Sequence, residues 1–142
     1  MILVYGGAYQ GKLDFARSLL KDNYVELPDL AQWEDVVATG EAALLGLGMD
    51  LGLLVADIED WLERNYRLSN ADWDESLTLL TESMPEPAVI VIEDQGQGVV
   101  PLDAELRAKR EANGRALQYF SSQATEVYRI MAGQALQLKG GN

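Results

Sequence analysis

Ile2-Leu3-Val4-Tyr5-Gly6-Gly7-Ala8-Tyr9-Gln10-Gly11-Lys12 runs an aliphatic, β-branched stretch into a glycine-bounded turn that ends on a lysine. Ile2–Tyr5 reads as a buried strand stopped by glycine. Lys12–Lys21 then places Leu13, Phe15, Ala16, Leu19 and Leu20 on a helical stripe. The turn between them fits G-x-x-x-x-G-K, and strand–turn–helix is the setting in which that spacing has a physical use. Glycines let the main chain curl until successive N–H groups converge on phosphate oxygens, the helix N-terminus adds its dipole, and the lysine reaches the outer phosphates. Gly6, Gly7, Ala8, Tyr9, Gln10, Gly11, Lys12 and Leu13 are therefore candidate nucleotide-binding residues, and Lys12 is also a catalytic candidate. The next position normally offers a Ser or Thr hydroxyl to Mg²⁺; here it is Leu13. Losing one hydrogen bond to a charged centre costs about 1.5–3 kcal/mol, or one to two orders of magnitude in Mg-nucleotide affinity. A plain glycine turn with a surface lysine would read the same way.

Outward from this stretch the pattern alternates as in an α/β protein. Tyr24–Leu27 suits a second strand. A long helix is expected from Glu41, with Thr39 as its N-cap and Leu44, Leu47, Leu51, Leu54, Ile58 and Trp61 as its buried stripe. Asn70–Met84 suits a further helix capped by Asn70 or Asp72. Ala88–Ile92 is an unbroken apolar run, as in a central parallel strand covered on both faces. Pro101 opens a helix to about Ala124, with Leu102, Leu106, Leu117 and Phe120 facing inward. Val127–Ala132 and Ala135–Leu138, split by Gly133, read as a closing antiparallel pair. Trp61 belongs to the core, packing is the expectation for Trp33 and Trp73, and the acidic run Asp72–Glu82 reads as a solvated face. Residues 1–142 form one expected domain, at roughly 100–200 residues per domain.

Composition removes much common enzymology. The chain has no His and no Cys, so Ser-His and Cys-His nucleophiles, His-ligated metals, thiolate zinc sites and disulfides are absent. Eleven Lys and Arg against 23 Asp and Glu give a net charge of −12, which opposes nucleic acid and anionic membrane surfaces. Salt screens charges beyond about 8 Å, so a polyphosphate would answer to local groups instead. The apolar stretch Ala42–Val55 is broken by Gly46, Gly48, Asp50 and Gly52, short of the ~20 residues a membrane span needs. The start of the chain lacks a basic leader region. A cytoplasmic protein is the expectation.

Two further segments carry chemistry. Glu93-Asp94-Gln95-Gly96-Gln97-Gly98 follows the central strand, where α/β proteins place ligands and where an acidic residue can hold Mg²⁺. Glu93 and Asp94 are the candidates, with Asp94 favoured as catalytic and metal-binding residue. Arg107, Lys109, Arg110 and Arg115 put four cations within nine positions. Arg110 and Arg115 are the candidate phosphate partners, against an ordinary solvated helix face.

Together these residues resemble the adenosylcobinamide kinase / adenosylcobinamide-phosphate guanylyltransferase family of cobalamin biosynthesis. Ile2–Ala16 looks like that family's strand, G-G-A-x-x-G-K-S loop and first helix. Val91–Pro101 is similar to its strand-end acid followed by G-x-G-I-V-P. Arg110-Glu111, Gly114-Arg115 and Gln118 fit its R-D-x-x-G-R-x-N-Q helix, with Leu117 where Asn is usual, and Val127–Lys139 looks like its closing strand pair. About half the chain is covered, in order. The resemblance implies a P-loop (RecA-like), mostly parallel sheet flanked by helices, ATP or GTP with Mg²⁺, a corrinoid precursor as acceptor, and a homo-oligomer. It also implies a Ser or Thr where Leu13 stands and a Glu where Asp94 stands. In the family a His carries the guanylyl group, and this chain has none. Two readings follow: a kinase-type phosphoryl transferase without guanylyl transfer, or a degenerate homologue that binds or regulates without catalysis.

Overall fold

The computed structural model describes residues 1–8, 10–40, 51–95 and 100–141. Tyr9, the expected helix start over Glu41–Asp50, Gly96 and Gly98 lie outside the described residues.

Six strands form one sheet: β1 (Ile2–Gly6), β2 (Tyr24–Leu27), β3 (Gly52–Val55), β4 (Ala88–Glu93), β5 (Glu126–Met131) and β6 (Gln134–Lys139). Their order is β2-β3-β4-β1-β5-β6. All neighbours are parallel except β5 and β6, which pair antiparallel. Five helices complete the described chain: α1 (Lys12–Leu20), α2 (Leu30–Thr39), α3 (Glu59–Asn65), α4 (Asn70–Glu82) and α5 (Ala104–Gln123). The mostly parallel α/β sheet with an antiparallel C-terminal pair is the architecture the sequence implies.

Strand side chains alternate between faces, and the apolar runs of β1, β3 and β4 divide accordingly. Leu3, Leu53, Val55, Ile90 and Ile92 meet α2 to α5. Val4, Leu54, Val89 and Val91 meet α1, through Ala16 and Leu20. Both faces are covered, which is why these runs are apolar throughout. All three tryptophans are buried, so packing claims Trp33 and Trp73 as well as Trp61. Trp61 and Trp73 meet edge to face at 4.9 Å. The Trp33 indole donates to Leu80 O at 2.9 Å, and that of Trp61 to Glu34 Oε2 at 2.9 Å.

Four expectations need correction. The helical stripe through Leu51, Leu54, Ile58 and Trp61 is not one helix: residues 52–55 are the buried strand β3, and Trp61 belongs to the short α3. An apolar run with both faces covered has no period of two to distinguish it from a helix. Thr39 ends α2 instead of capping a later helix, and α2 itself was not anticipated. Its N-cap is the buried Asp29, whose Oδ1 accepts from Ala31 N and Trp61 N (3.0 Å each) while Oδ2 accepts from Asp60 N (3.0 Å). One carboxylate thus serves the first turns of both α2 and α3, a local arrangement that stabilises both termini. The cap of α4 is Ser69, not Asn70 or Asp72; Ser69 Oγ accepts from Asp72 N at 3.3 Å. Finally, Asp103 caps α5, with its Oδ1 accepting from Glu105 N and Leu106 N. Helix α5 therefore starts three residues after Pro101, and Leu102 and Leu106 point outward, 96% and 53% exposed. Leu117 and Phe120 do face the core.

At the far edge Lys139 Nζ donates to the last-turn carbonyls of α5, Ser121 O (3.0 Å) and Ser122 O (3.2 Å). A cation there satisfies orphan acceptors and opposes the helix dipole.

Candidate functional site

The glycine loop leaves β1 at Gly6 and enters α1 at Lys12. A Cβ on Gly6 would lie 2.5 Å from Ile130 O, so β5 approaches too closely for any other residue. Gly11 takes φ +87°, the left-handed turn that opens α1. The Lys12 ammonium folds back across the loop and donates to Gly7 O at 2.7 Å. Among the described residues it forms no ion pair, so a neutral carbonyl is all that an incoming anion must displace.

Among the described residues no side-chain cap closes the start of α1. Asp29, Ser69 and Asp103 cap α2, α4 and α5 with their own side chains, and Asp29 also covers α3. Gly11 gives α1 no side-chain cap. First-turn N–H groups without an internal partner are the physical requirement for an anion site.

Gln10 braces the loop from behind. Its Oε1 accepts from Ala132 N, and its main-chain carbonyl accepts from Gly133 N at 3.1 Å. Ala132 and Gly133 form the two-residue turn between β5 and β6, both at positive φ (51° and 76°), as a type I′ hairpin requires.

In front of the loop lies a cleft of about 310 Å³ at the carboxyl ends of β3 and β4. Gln10, Gly11, Lys12 and Leu13 form one wall; Ala56 and Asp57 after β3 and Val91 and Glu93 of β4 form the other. Leu13 packs against the α1-side core and brings no oxygen to the cleft. Arg17, also on the rim, holds Glu26 through two bonds (2.8 and 2.9 Å) and lies 3.6 Å from Asp14. Burial pushes the Asp57 carboxyl above the usual aspartate range; the Ile58 N–H opposes this, and the Asp29 charge adds to it.

The candidate residues scatter more than a linear reading suggests. Gln10, Gly11, Lys12 and Leu13 line the cleft together. Glu93 joins them, whereas Asp94 is placed by its main chain, donating from N to Gly6 O at 2.8 Å. Arg110 lines a second cleft between α3 and α5. Arg115 stacks over Trp73, 4.7 Å from the ring centroid, between α4 and α5. Of the other cations, Arg107 donates to Pro101 O (3.1 Å) and Leu102 O (2.6 Å), and Lys109 meets Glu63 at 2.7 Å.

Two residues escaped sequence reading. Asp57 is hidden in the sequence because the strand before it, Gly52–Val55, falls at helical spacing. Asn113, buried on α5, accepts from Gln95 N (3.1 Å) on Oδ1 and donates from Nδ2 to Glu93 O (3.0 Å). It thereby fixes the strand-end segment that presents Glu93. A polar residue beside the apolar Ala112 and Ala116 was the available signal.

No helix among the described residues is long and apolar enough to cross a membrane. A family model described as cobinamide kinase / cobinamide phosphate guanyltransferase matches residues 29–138. That span takes in Asp57, Glu93, α5 and the hairpin, and begins after the glycine loop. No curated protein matches the chain.

Proposed function

The chain belongs to the cobinamide kinase / cobinamide phosphate guanyltransferase family, and from that premise we propose that it binds ATP or GTP on the Gly6–Lys12 loop and serves kinase-type transfer to a corrinoid hydroxyl. The observation that carries this reading is the Lys12 ammonium resting on Gly7 O across a loop that opens into a helix without a side-chain cap. On binding, Lys12 exchanges that carbonyl for phosphate oxygens, and the first N–H groups of α1 take the remaining charge.

The carboxylates fit Mg²⁺ only in its usual loose manner. Among the described residues no group of three or more acidic side chains could hold a metal, and Leu13 supplies no hydroxyl. An ion that keeps most of its water and rides on phosphates needs one or two carboxylates, and Glu93, which lines the cleft, would provide one. Such an ion neutralises charge on the transferring phosphoryl group. Asp57, its proton affinity raised by burial, is the base in reach of the cleft for an acceptor hydroxyl. Histidine-borne guanylyl transfer has no residue to act through, since the sequence contains no His.

One observation favours a second reading, a degenerate homologue that binds without catalysis: Leu13 stands at the cleft with an apolar side chain packed against the α1-side core, where metal-assisted chemistry wants an oxygen.

Thermal stability tests nucleotide binding. Ligand at 10–100 Kd stabilises by about 1.4–2.7 kcal/mol, several degrees for a domain of this size. Millimolar ATP or GTP with Mg²⁺ is expected to raise the melting temperature of the natural protein and leave Lys12→Ala unmoved. A natural protein indifferent to both nucleotides would overturn the proposal.

A further inference from the structure

A third cleft, about 420 Å³, lies between α4 and α5 and shares no lining residue with the cleft before the glycine loop. Asn70, Trp73 and Asp74 of α4 form one wall, and Arg115, Gln118 and Tyr119 of α5 form the other. Residues three or four apart on a helix are neighbours. Asn70 therefore stands beside Asp74, and Arg115 beside Gln118. Each wall sets one charge next to one amide, negative on α4 and positive on α5.

The two charges do not meet. Arg17, Arg64, Arg67 and Lys109 all hold carboxylates within 4 Å. Among the described residues Arg115 and Asp74 form no ion pair, and the side chains of Asn70 and Gln118 form no hydrogen bond. The Arg115 guanidinium lies instead over the ring of the buried Trp73, 4.7 Å from its centroid. An arginine stacked on an aromatic face keeps its N–H fork free for a carboxylate, which it meets through two parallel bonds. The stack also fixes the side chain in advance, which lowers the ordering cost of binding. Tyr119 keeps its hydroxyl on Thr78 at 3.0 Å and brings no competing charge.

A ligand with one charge meets one attractive wall and one repulsive wall. A phosphate or a simple carboxylate drawn to Arg115 faces Asp74, and a simple amine drawn to Asp74 faces Arg115. A molecule that carries both charges a few bonds apart satisfies both walls. We infer that this cleft binds a free α-amino acid. Its carboxylate accepts from the Arg115 fork and the Gln118 amide, and its ammonium donates to the Asp74 carboxylate and the Asn70 amide oxygen. The site is separate from the nucleotide loop and needs no nucleotide to fill. It also gives Arg115 a role that its distance from the glycine-loop cleft denies it as a phosphate partner.

The test titrates the ¹⁵N-labelled full chain, without nucleotide, with each of the standard amino acids, and with acetate and ethylamine as singly charged controls. The readout is the Arg115 Nε–H and the side-chain amides of Asn70 and Gln118. At least one amino acid is expected to shift these signals saturably with a dissociation constant of about 1 mM or tighter, while neither control saturates. Asp74 is exposed, so Asp74→Asn removes its charge without disturbing the core. Arg115→Met removes the other charge and keeps an unbranched side chain on Trp73. Each variant is expected to raise the dissociation constant about tenfold or more. The assignment is overturned if no amino acid gives a saturable shift at these residues, if acetate or ethylamine binds as tightly, or if Asp74→Asn binds as the natural protein does. ATP binding is measured in a separate titration, so failure of the nucleotide reading leaves this result standing.

Discussion

Gln10, in the glycine loop, holds Ala132, at the tip of the β5–β6 hairpin: its side-chain oxygen accepts from the Ala132 amide, and its main-chain carbonyl accepts from Gly133 N. Ala132 sits at φ +51°, a left-handed conformation that costs a non-glycine residue about 1–2 kcal/mol. The loop and the hairpin thus support each other, and the loop that faces the cleft is fixed from behind.

Gln10→Ala removes the side-chain half of this brace. A single neutral hydrogen bond is worth about 0.5–1.5 kcal/mol, so the melting temperature is expected to drop by a few degrees and nucleotide affinity to fall several-fold. Gln10→Glu keeps the acceptor and should retain both. Chemical denaturation and nucleotide titration of the two variants check this; an Ala variant identical to the natural protein would remove the brace from the account.

Asn113 is a costlier place to interfere. Its buried amide donates to Glu93 O and accepts from Gln95 N, and truncation leaves both backbone groups short of a partner at about 1–3 kcal/mol each. Asn113→Ala is expected to lose about 2–4 kcal/mol in urea denaturation. Asn113→Asp should fare no better, because a carboxylate accepts from Gln95 N but has nothing to donate to Glu93 O.

The pH response of Asp57 has a definite sign. Burial raises its carboxyl in the folded chain, the Ile58 N–H opposes that, and Asp29 reinforces it. The folded state then holds the Asp57 proton more firmly than the unfolded state. The resulting stability is fully present below the ordinary aspartate value of about 3.9 and is lost as pH rises through the higher folded value. Asp57→Asn keeps an oxygen for the Ile58 N–H, 2.7 Å away. The variant is expected to melt above the natural protein at pH 7, with the gap closing as pH falls toward 4, while any phosphoryl transfer is lost. Melting curves across pH 4–8 measure it, and a gap that widens on acidification would contradict the assignment.

Leu13→Ser restores the missing hydroxyl. Mg-nucleotide affinity is expected to rise about tenfold or more, the counterpart of the 1.5–3 kcal/mol assigned to that bond. If turnover of nucleotide appears only in this variant, the natural protein is the non-catalytic form. Turnover already present in the natural protein would favour the kinase.

How much of this was legible before the fold was known depended on where tertiary context overrides local pattern. Ile2–Tyr5 and Ala88–Ile92 were readable as strands because glycines or a polar turn bound a short aliphatic run. Gly52–Val55 was not, since Leu51, Leu54, Ile58 and Trp61 happen to fall at helical spacing. That single misreading hid Asp57, which follows the strand by two residues. Helix α2 did carry a start signal in Asp29, but the same carboxylate also serves α3 thirty residues on, a pairing no local pattern displays. Apolarity alone points Leu102 and Leu106 inward; Asp103 caps α5 later than Pro101 suggests, and both side chains face out. The strand before the glycine turn and the helix after it are legible in the sequence, and the brace from Gln10 to Ala132, 122 residues away, is not.

The most direct measurement is a crystal structure with Mg²⁺ and a non-hydrolysable ATP analogue. Phosphate density across the Gly6–Lys12 loop, with the Lys12 ammonium moved from Gly7 O onto a phosphate oxygen, is the expected result. A saturating analogue that binds elsewhere, or not at all, while Lys12 remains on Gly7 O would contradict the assignment of this loop as the nucleotide site.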